Sequence, residues 1–454
     1  MLTPLLTLAL AVAASSPGVA WLAVCPERPA AGVRVLAELT DLDGQAWWLT
    51  VSPAPPAHPA CVTRELPVDA ARVRWAGTLA PEVAALLGRG LMLQGYDEAR
   101  GTVSEVVPLE DPPLATPRPG DVEPRQRPDK GGVTPRPGEG GAGPNVAQGP
   151  ERSMWAWSPA LWRETPDALF DRLRRWRSAV VYVTFPVEPR TGEFRSDDRD
   201  RFAAFMALAA REKVAVWIVD GEPRAVLPFE RASLVTRARG YGQLVASLPP
   251  NERPVGVQLD IEPYLLQTFG ASHAALFDAY ARAVAEVRAA TAGLRLEAAV
   301  PFWACDRPTL AGTFGDALAP HLDSVAVMDY RTDPDQIDRF ARAWLAWGVR
   351  HRRGVRIGLE AGPLPDEVRH VYRPAGKGEV WRLSLGAQDV LLLLDGPAKP
   401  RDGRAFRYSH EVQALASTQT FRGRTDELAR LLPWLERTFA PWRSFLGLAL
   451  HEVP

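Results

Sequence analysis

From Ser153 to Pro454 the chain repeats one pattern eight times: a short run of β-branched and aromatic residues, then a longer amphipathic stretch. The expected strands are Met154–Trp157, Ala179–Phe185, Val214–Val219, Val255–Ile261, Leu294–Val300, Ser324–Met328, Val355–Leu359 and Phe445–Leu450. Between them the apolar residues recur at helical spacing, as Phe202, Phe205, Leu208 and Ala209 do within 198–213, and Leu276, Tyr280, Val284 and Val287 within 274–290. Strands that run the same way need a crossover of a dozen or more residues, and a helix supplies it. Eight such units in about 300 residues is the size and rhythm of a (β/α)8 TIM barrel. The seventh connection, 360–444, is too long for a loop and one helix. Its runs Glu379–Leu383 and Val390–Leu394 predict a hairpin insertion ahead of the final helix, 424–439.

The remainder of the 454 residues falls into three parts. Residues 1–20 carry the apolar run Leu5–Ala14 followed by the small residues Gly18 and Ala20, the pattern of a signal peptide cut before Trp21. The expected localisation is therefore secreted or periplasmic. Residues 21–110 hold short β-like runs (Gly32–Leu39, Ala46–Val51, Val73–Trp75, Gly101–Val107) and one expected helix at Pro81–Leu87, giving a small β-rich domain. Residues 111–152 are rich in Pro and Gly, contain no aromatic residue before the barrel, and read as a disordered tether. The fold class is thus α/β, a C-terminal barrel of residues 153–454 preceded by a small β domain and a linker.

Composition excludes several function classes. Lys+Arg of 53 against Asp+Glu of 54 leaves a net charge of −1, so no global field draws nucleic acid, and no later apolar run reaches membrane length. With only three cysteines and no Cys-x-x-Cys, neither a disulfide scaffold nor a cysteine zinc site is expected. Export places Cys25 and Cys61, both in the small domain, where thiols pair. Cys305 has no activating pattern around it and is expected as a buried bystander. No metal motif, Walker loop, dinucleotide fingerprint or Gly-x-Ser-x-Gly elbow occurs, so no metal or cofactor is expected. The basic run Arg350–Arg353 ends a helix and reads as a solvated helix end. A monomer is expected.

In a barrel of this kind chemistry collects at the carboxyl ends of the strands. Those ends supply Glu188, Asp220 with Glu222, Asp260 with Glu262, Asp329 with Tyr330, Glu360, and His451 with Glu452. The fourth strand gives the sharpest signal, because Gln258, Asp260 and Glu262 alternate onto one face and converge where the strand emerges. Paired buried carboxyls raise each other's pKa, which keeps an acid protonated near neutral pH. Glu262 is the candidate acid and Asp260 its partner.

These motifs resemble the family 18 glycoside hydrolases, the chitinase-like barrels, whose fourth strand ends in Asp-Gly-x-Asp-x-Asp-x-Glu. Here Val255 to Glu262 keeps the glycine, the last Asp and the Glu. The family's Met-x-Tyr-Asp on strand six becomes Met328-Asp329-Tyr330-Arg331, and its Trp on strand eight becomes His451. The resemblance implies an acid Glu262, with Asp260 and Tyr330 steering a substrate acetamido group. A second resemblance is to retaining glycosidases that place an acid/base Glu before Pro on strand four and a nucleophile Glu on strand seven, the places of Glu262-Pro263 and Glu360. Carboxyls about 5–5.5 Å apart would then give double displacement, and about 6.5–9.5 Å inversion. Loss of the family 18 Asp residues on strands four and six, the latter replaced by Arg331, and the Glu-Pro and Glu on strands four and seven tip the sequence reading towards the pair Glu262 and Glu360.

Sugar sites need flat apolar faces, and eleven of the 15 Trp lie in 153–454. Trp155, Trp157, Trp217 and Trp303, with Gln258, Asp329, Arg331 and His451, complete the expected substrate-binding set; His410 is the other His expected near the mouth. The function expected is a glycoside hydrolase acting on a polysaccharide or envelope glycan. The alternative is a carbohydrate-binding or envelope scaffold that kept the barrel without turnover.

Overall fold

A computed structural model describes residues 18–40, 46–79, 87–94, 105–109 and 150–454, apart from 186, 189–190, 195, 267–268, 292 and 387. The apolar N-terminal run, all but the end of the helix expected at 81–87 and nearly all of the expected tether lie outside these residues. The described chain forms two compact units.

The first unit begins with β1 (Ala20–Cys25), β2 (Arg34–Thr40), β3 (Ala46–Ser52), β4 (Val62–Leu66), β5 (Val73–Leu79), β6 (Leu91–Gln94) and β7 (Glu105–Pro108). The barrel strands of the second unit are β8 (Arg152–Ala156), β9 (Ser178–Thr184), β10 (Ala215–Asp220), β11 (Gly256–Leu259), β12 (Arg295–Pro301), β13 (Ser324–Met328) and β14 (Gly354–Glu360). An insertion follows, of β15 (Glu367–Ala375), β16 (Gly378–Leu385), β17 (Gln388–Ala398) and β18 (Arg404–Ala414), before β19 (Phe445–His451) closes the barrel.

The insertion departs from the sequence expectation. It has four strands, and residues 370–411 belong to the first unit. They build a seven-stranded sheet in the order β5-β17-β16-β18-β15-β6-β7, while β2-β3-β1-β4 form a second sheet. One core joins Leu22, Leu49 and Val51 of the smaller sheet to Trp75, Trp381 and Leu392 of the larger. The run Val390–Leu394 is continuous rather than alternating because β17 is buried on both faces: Leu391 and Leu393 pack into a second core with Val380 and Phe406. Trp47 packs against the first of these cores, and the Arg28 guanidinium lies 5.3 Å over Trp48. Cys25 and Cys61 form a disulfide, and Cys305 is free and buried. Cross-linking a loop of 36 residues stabilises a domain by about 4 kcal/mol in the chain-entropy account.

The second unit is the expected barrel. All eight strands pair in parallel and close in the order β10-β11-β12-β13-β14-β19-β8-β9. Their alternation is regular: on β9, Val181 and Val183 face the helical layer, whereas Val180 and Tyr182 face the interior. Gly256 is required by a close approach, since a Cβ there would meet the Arg295 carbonyl oxygen at 2.3 Å and the Trp217 ring at 2.6 Å. The lower interior is polar, and its carboxylate is well partnered. Glu297, fully buried, accepts from Tyr182 Oη (2.6 Å), Gln258 Nε2 (2.7 Å) and Ser324 Oγ (2.6 Å), and pairs with Arg356 at 3.5 Å. These bonds offset the desolvation of a charge that would otherwise be expelled from such a site.

Candidate active site

At the carboxyl end of the barrel, β11 gives way to Asp260, Ile261 and Glu262. The Asp260 N–H still pairs with the Asp220 carbonyl (2.9 Å), and Pro263 then starts a one-turn 3-10 helix, Pro263–Leu265. Leu259 and Ile261 are fully buried in the helical layer, so Asp260 and Glu262 take the inward side. Burial, reinforced by the charge of Glu262, pushes the Asp260 carboxyl up to about 7. Asp260 Oδ1 is buried with no hydrogen-bond partner among the described residues. Burial also raises Glu262, opposed by a hydrogen bond that Tyr264 Oη donates to Glu262 Oε1.

Tyr330, on the inward parity of β13, is raised well above the phenol range by burial and then by the charges of Glu360, Asp260 and Glu262. It stacks on His451, ring centroids 6.0 Å apart and 25° between planes. His451 ends β19 beside Glu360, which ends β14. The Trp157 indole N–H donates to His451 Nε2, and His451 Nδ1 lies 2.7 Å from Glu360 Oε2. Indole can only donate, so Nε2 carries the lone pair and Nδ1 carries the hydrogen given to Glu360. The other Glu360 oxygen accepts from the Gly362 N–H at 2.5 Å, and the residue is 2% exposed.

The sequence therefore brought Asp260, Glu262, Tyr330, Glu360, Trp157 and His451 to one end of the barrel. The remaining expectations fall elsewhere. Trp155 and Trp217 are 4% and 3% exposed and pack the interior with Tyr182. The Trp155 N–H is spent on Gln258 Oε1 (2.6 Å), and Gln258, fully buried, spends its amide on Glu297. These three residues form the floor beneath the site and offer no open face. Trp303 is half-buried, meets Tyr264 edge to face at 5.5 Å and carries the Arg307 guanidinium at 5.5 Å.

Asp329 and Arg331 flank the inward Tyr330 and so turn outward. Asp329 is fully buried, and burial holds its carboxyl well above the carboxylate range. The Arg331 guanidinium stacks on Phe302 (4.8 Å) and Phe340 (5.5 Å) and donates to the Tyr330 carbonyl (2.6 Å). Asp220 is bound in both oxygens by Arg237 (2.7 and 2.9 Å), with Tyr241 Oη at 2.8 Å, a brace between strand and helix. His410 lies exposed on β18 in the first unit. Two contributors were missed. Tyr264 follows Glu262 by two residues, a spacing that could have signalled a local hydrogen bond, and Glu297 is the one carboxylate of β12, at an inward position. Among the described residues no cluster of His, Cys, Asp or Glu could hold a metal ion, and no helix is long and apolar enough to cross a membrane.

No family model and no curated protein matches this chain. Among solved structures it is similar to a class V chitinase from Nicotiana tobaccum, at 15% identity over 66% of this chain and 93% of that one, with a TM-score of 0.36. A family 18 chitinase from Cycas revoluta in complex with (GlcNAc)3 matches at 14% identity over 66% and 94%, TM-score 0.36. The spore cortex-lytic enzyme SleL from Bacillus cereus matches at 11% identity over 67% and 70%, TM-score 0.36.

Proposed function

We propose that the barrel hydrolyses glycosidic bonds in a polysaccharide or envelope glycan, with Glu262 as the general acid. The observation that carries this reading is the Asp260–Glu262 pair. Two carboxyls share one inward face, and burial pushes both up, Asp260 to about 7, so the pair holds protons further towards neutral pH than free carboxyls do, as a group that protonates a leaving oxygen must. Both oxygens of Glu360 are already engaged, by His451 and by the Gly362 amide, which weakens its claim as nucleophile. Of the two sequence readings, the chitinase-like one is therefore favoured, with Asp260 and Tyr330 steering an acetamido group. The site takes carbohydrate and requires no cofactor for this chemistry. Export is part of the proposal, supported by the Cys25–Cys61 disulfide together with the apolar N-terminal run.

Glu262→Gln tests it on a panel of polysaccharides and envelope glycans. Loss of turnover with glycan binding retained supports the acid. A wild-type protein that binds a glycan and cleaves nothing on the panel makes the barrel a scaffold instead.

A further inference from the structure

We infer that Trp157, His451 and Glu360 form a hydrogen-bonded lock that holds the His451 imidazole neutral beside the carboxyl pair, and that all three are positioning residues of the site. The inference rests on the reading of Glu262 as acid, but its geometry stands apart from it. Trp157 donates to Nε2 and Glu360 accepts from Nδ1–H, so both ring nitrogens are committed and only one protonation state satisfies both partners. A second proton on the ring would set Nε2–H against the indole N–H, donor against donor.

Glu360 is held on its other side as well. Its second oxygen is held by the Gly362 amide, and a Cβ at Gly362 would sit 2.9 Å from Glu360 Oε1 and 2.7 Å from Glu452 Cβ, so the amide reaches the carboxylate only because residue 362 is glycine. The neighbouring Ala361 N–H bonds the His451 carbonyl at 3.0 Å, tying the two strand ends together.

The titratable groups facing His451 are Glu360 from β14, Asp260 and Glu262 beyond β11, and Tyr330 beyond β13. From β8 comes Trp155 (5.8 Å, edge to face) and from just past its end Trp157, neither of which titrates. The carboxylates favour an imidazolium; the Trp157 donor opposes it. Trp157 is the one neighbour whose donor opposes the imidazolium, and this matters because a charge on His451 draws protons off Asp260 and Glu262, the reverse of what an acid needs.

The test is long-range 1H–15N correlation of the histidine rings in the full chain, with His451→Gln to assign the signal. At pH 7 the wild type should show a neutral Nδ1–H ring. In Trp157→Phe the imidazolium pattern should appear at higher pH, by roughly half a unit or more, the equivalent of one net hydrogen bond. An Nε2–H ring or an imidazolium in the wild type at pH 7, or identical titrations in the two proteins, overturns the lock. If Trp157→Phe does not fold, Glu360→Gln serves: it keeps an acceptor for Nδ1–H and removes the charge, so the imidazolium should appear at lower pH, and an unchanged titration overturns the lock. On a glycan the wild type cleaves, Trp157→Phe should move the alkaline limb of kcat/KM to lower pH, which a purely structural role would not do. The ring measurement needs no substrate, so failure to cleave any glycan refutes the acid reading and leaves the lock to be judged on its own.

Discussion

Tyr264 returns its phenolic hydrogen to the carboxylate of Glu262, two residues earlier in the chain. The bond favours the charged form of Glu262 and so opposes the burial that raises it. Tyr264→Phe keeps the ring against Trp303 and removes the donor. Glu262 should then hold its proton to higher pH, and the alkaline limb of kcat/KM should rise by about half a unit to one unit. A pH profile on a cleaved glycan checks it; a limb that stays in place or falls counts against Glu262 as the acid.

Asp260 makes a stability prediction with a definite sign. Its folded pKa of about 7 lies above the usual value of 3.8, so the folded state binds the proton more tightly than the unfolded chain does. The stability contributed by the protonated form is complete below about pH 4 and is lost as pH rises through 7. Asp260→Asn, which cannot ionise, should therefore leave Tm nearly unchanged at pH 4 and raise it by roughly 5 °C at pH 8. Thermal melts across that range would refute it by showing a constant difference.

Glu360→Gln separates a positioning carboxylate from a nucleophile. A nucleophile loses essentially all turnover with its negative charge, by about four orders of magnitude or more. As an anchor for His451, Gln still offers an acceptor, and kcat should fall by no more than about a hundredfold, with little change in KM. Steady-state kinetics decides between the two.

The Glu297–Arg356 pair predicts stability without chemistry. Glu297→Ala leaves the Arg356 guanidinium buried and uncompensated and strips acceptors from Tyr182, Gln258 and Ser324. The expected loss is about 3–5 kcal/mol, read as a lower urea midpoint. Glu297→Gln, which keeps an acceptor, should lose less.

Much of this was legible in the sequence because strand alternation is a strict period. Gln258, Asp260 and Glu262 had to share a face, and strand ends in a parallel barrel had to meet, which also brought Tyr330, Glu360 and His451 together. The same parity turns Asp329 and Arg331 outward once Tyr330 is inward; including them with their neighbour in the substrate-binding set overlooked it. Depth was not legible: Trp155 and Trp217 have the inward parity but lie below the mouth, and only the closed barrel fixes that level. Nor was the partner of the insertion. An apolar run such as Val390–Leu394 announces a strand buried on both sides, yet nothing local says which distant strand lies beside it.

That partner is β5, with Leu79 opposite Asp389, about 300 residues further along. A ribosome releases β5 and β6 long before β17 and β15 exist, so two strands of the nascent N-terminal segment wait for those partners while most of the barrel is made. Closing so large a loop is slow, and the exposed edge is open to wrong partners in the interval. Nor can a nick anywhere in 111–149 part the molecule into an autonomous front and back, since each piece would carry strands whose ladder is completed by the other. The protein is continuous in space where it is discontinuous in chain, and its first unit is finished only when its last hundred residues arrive.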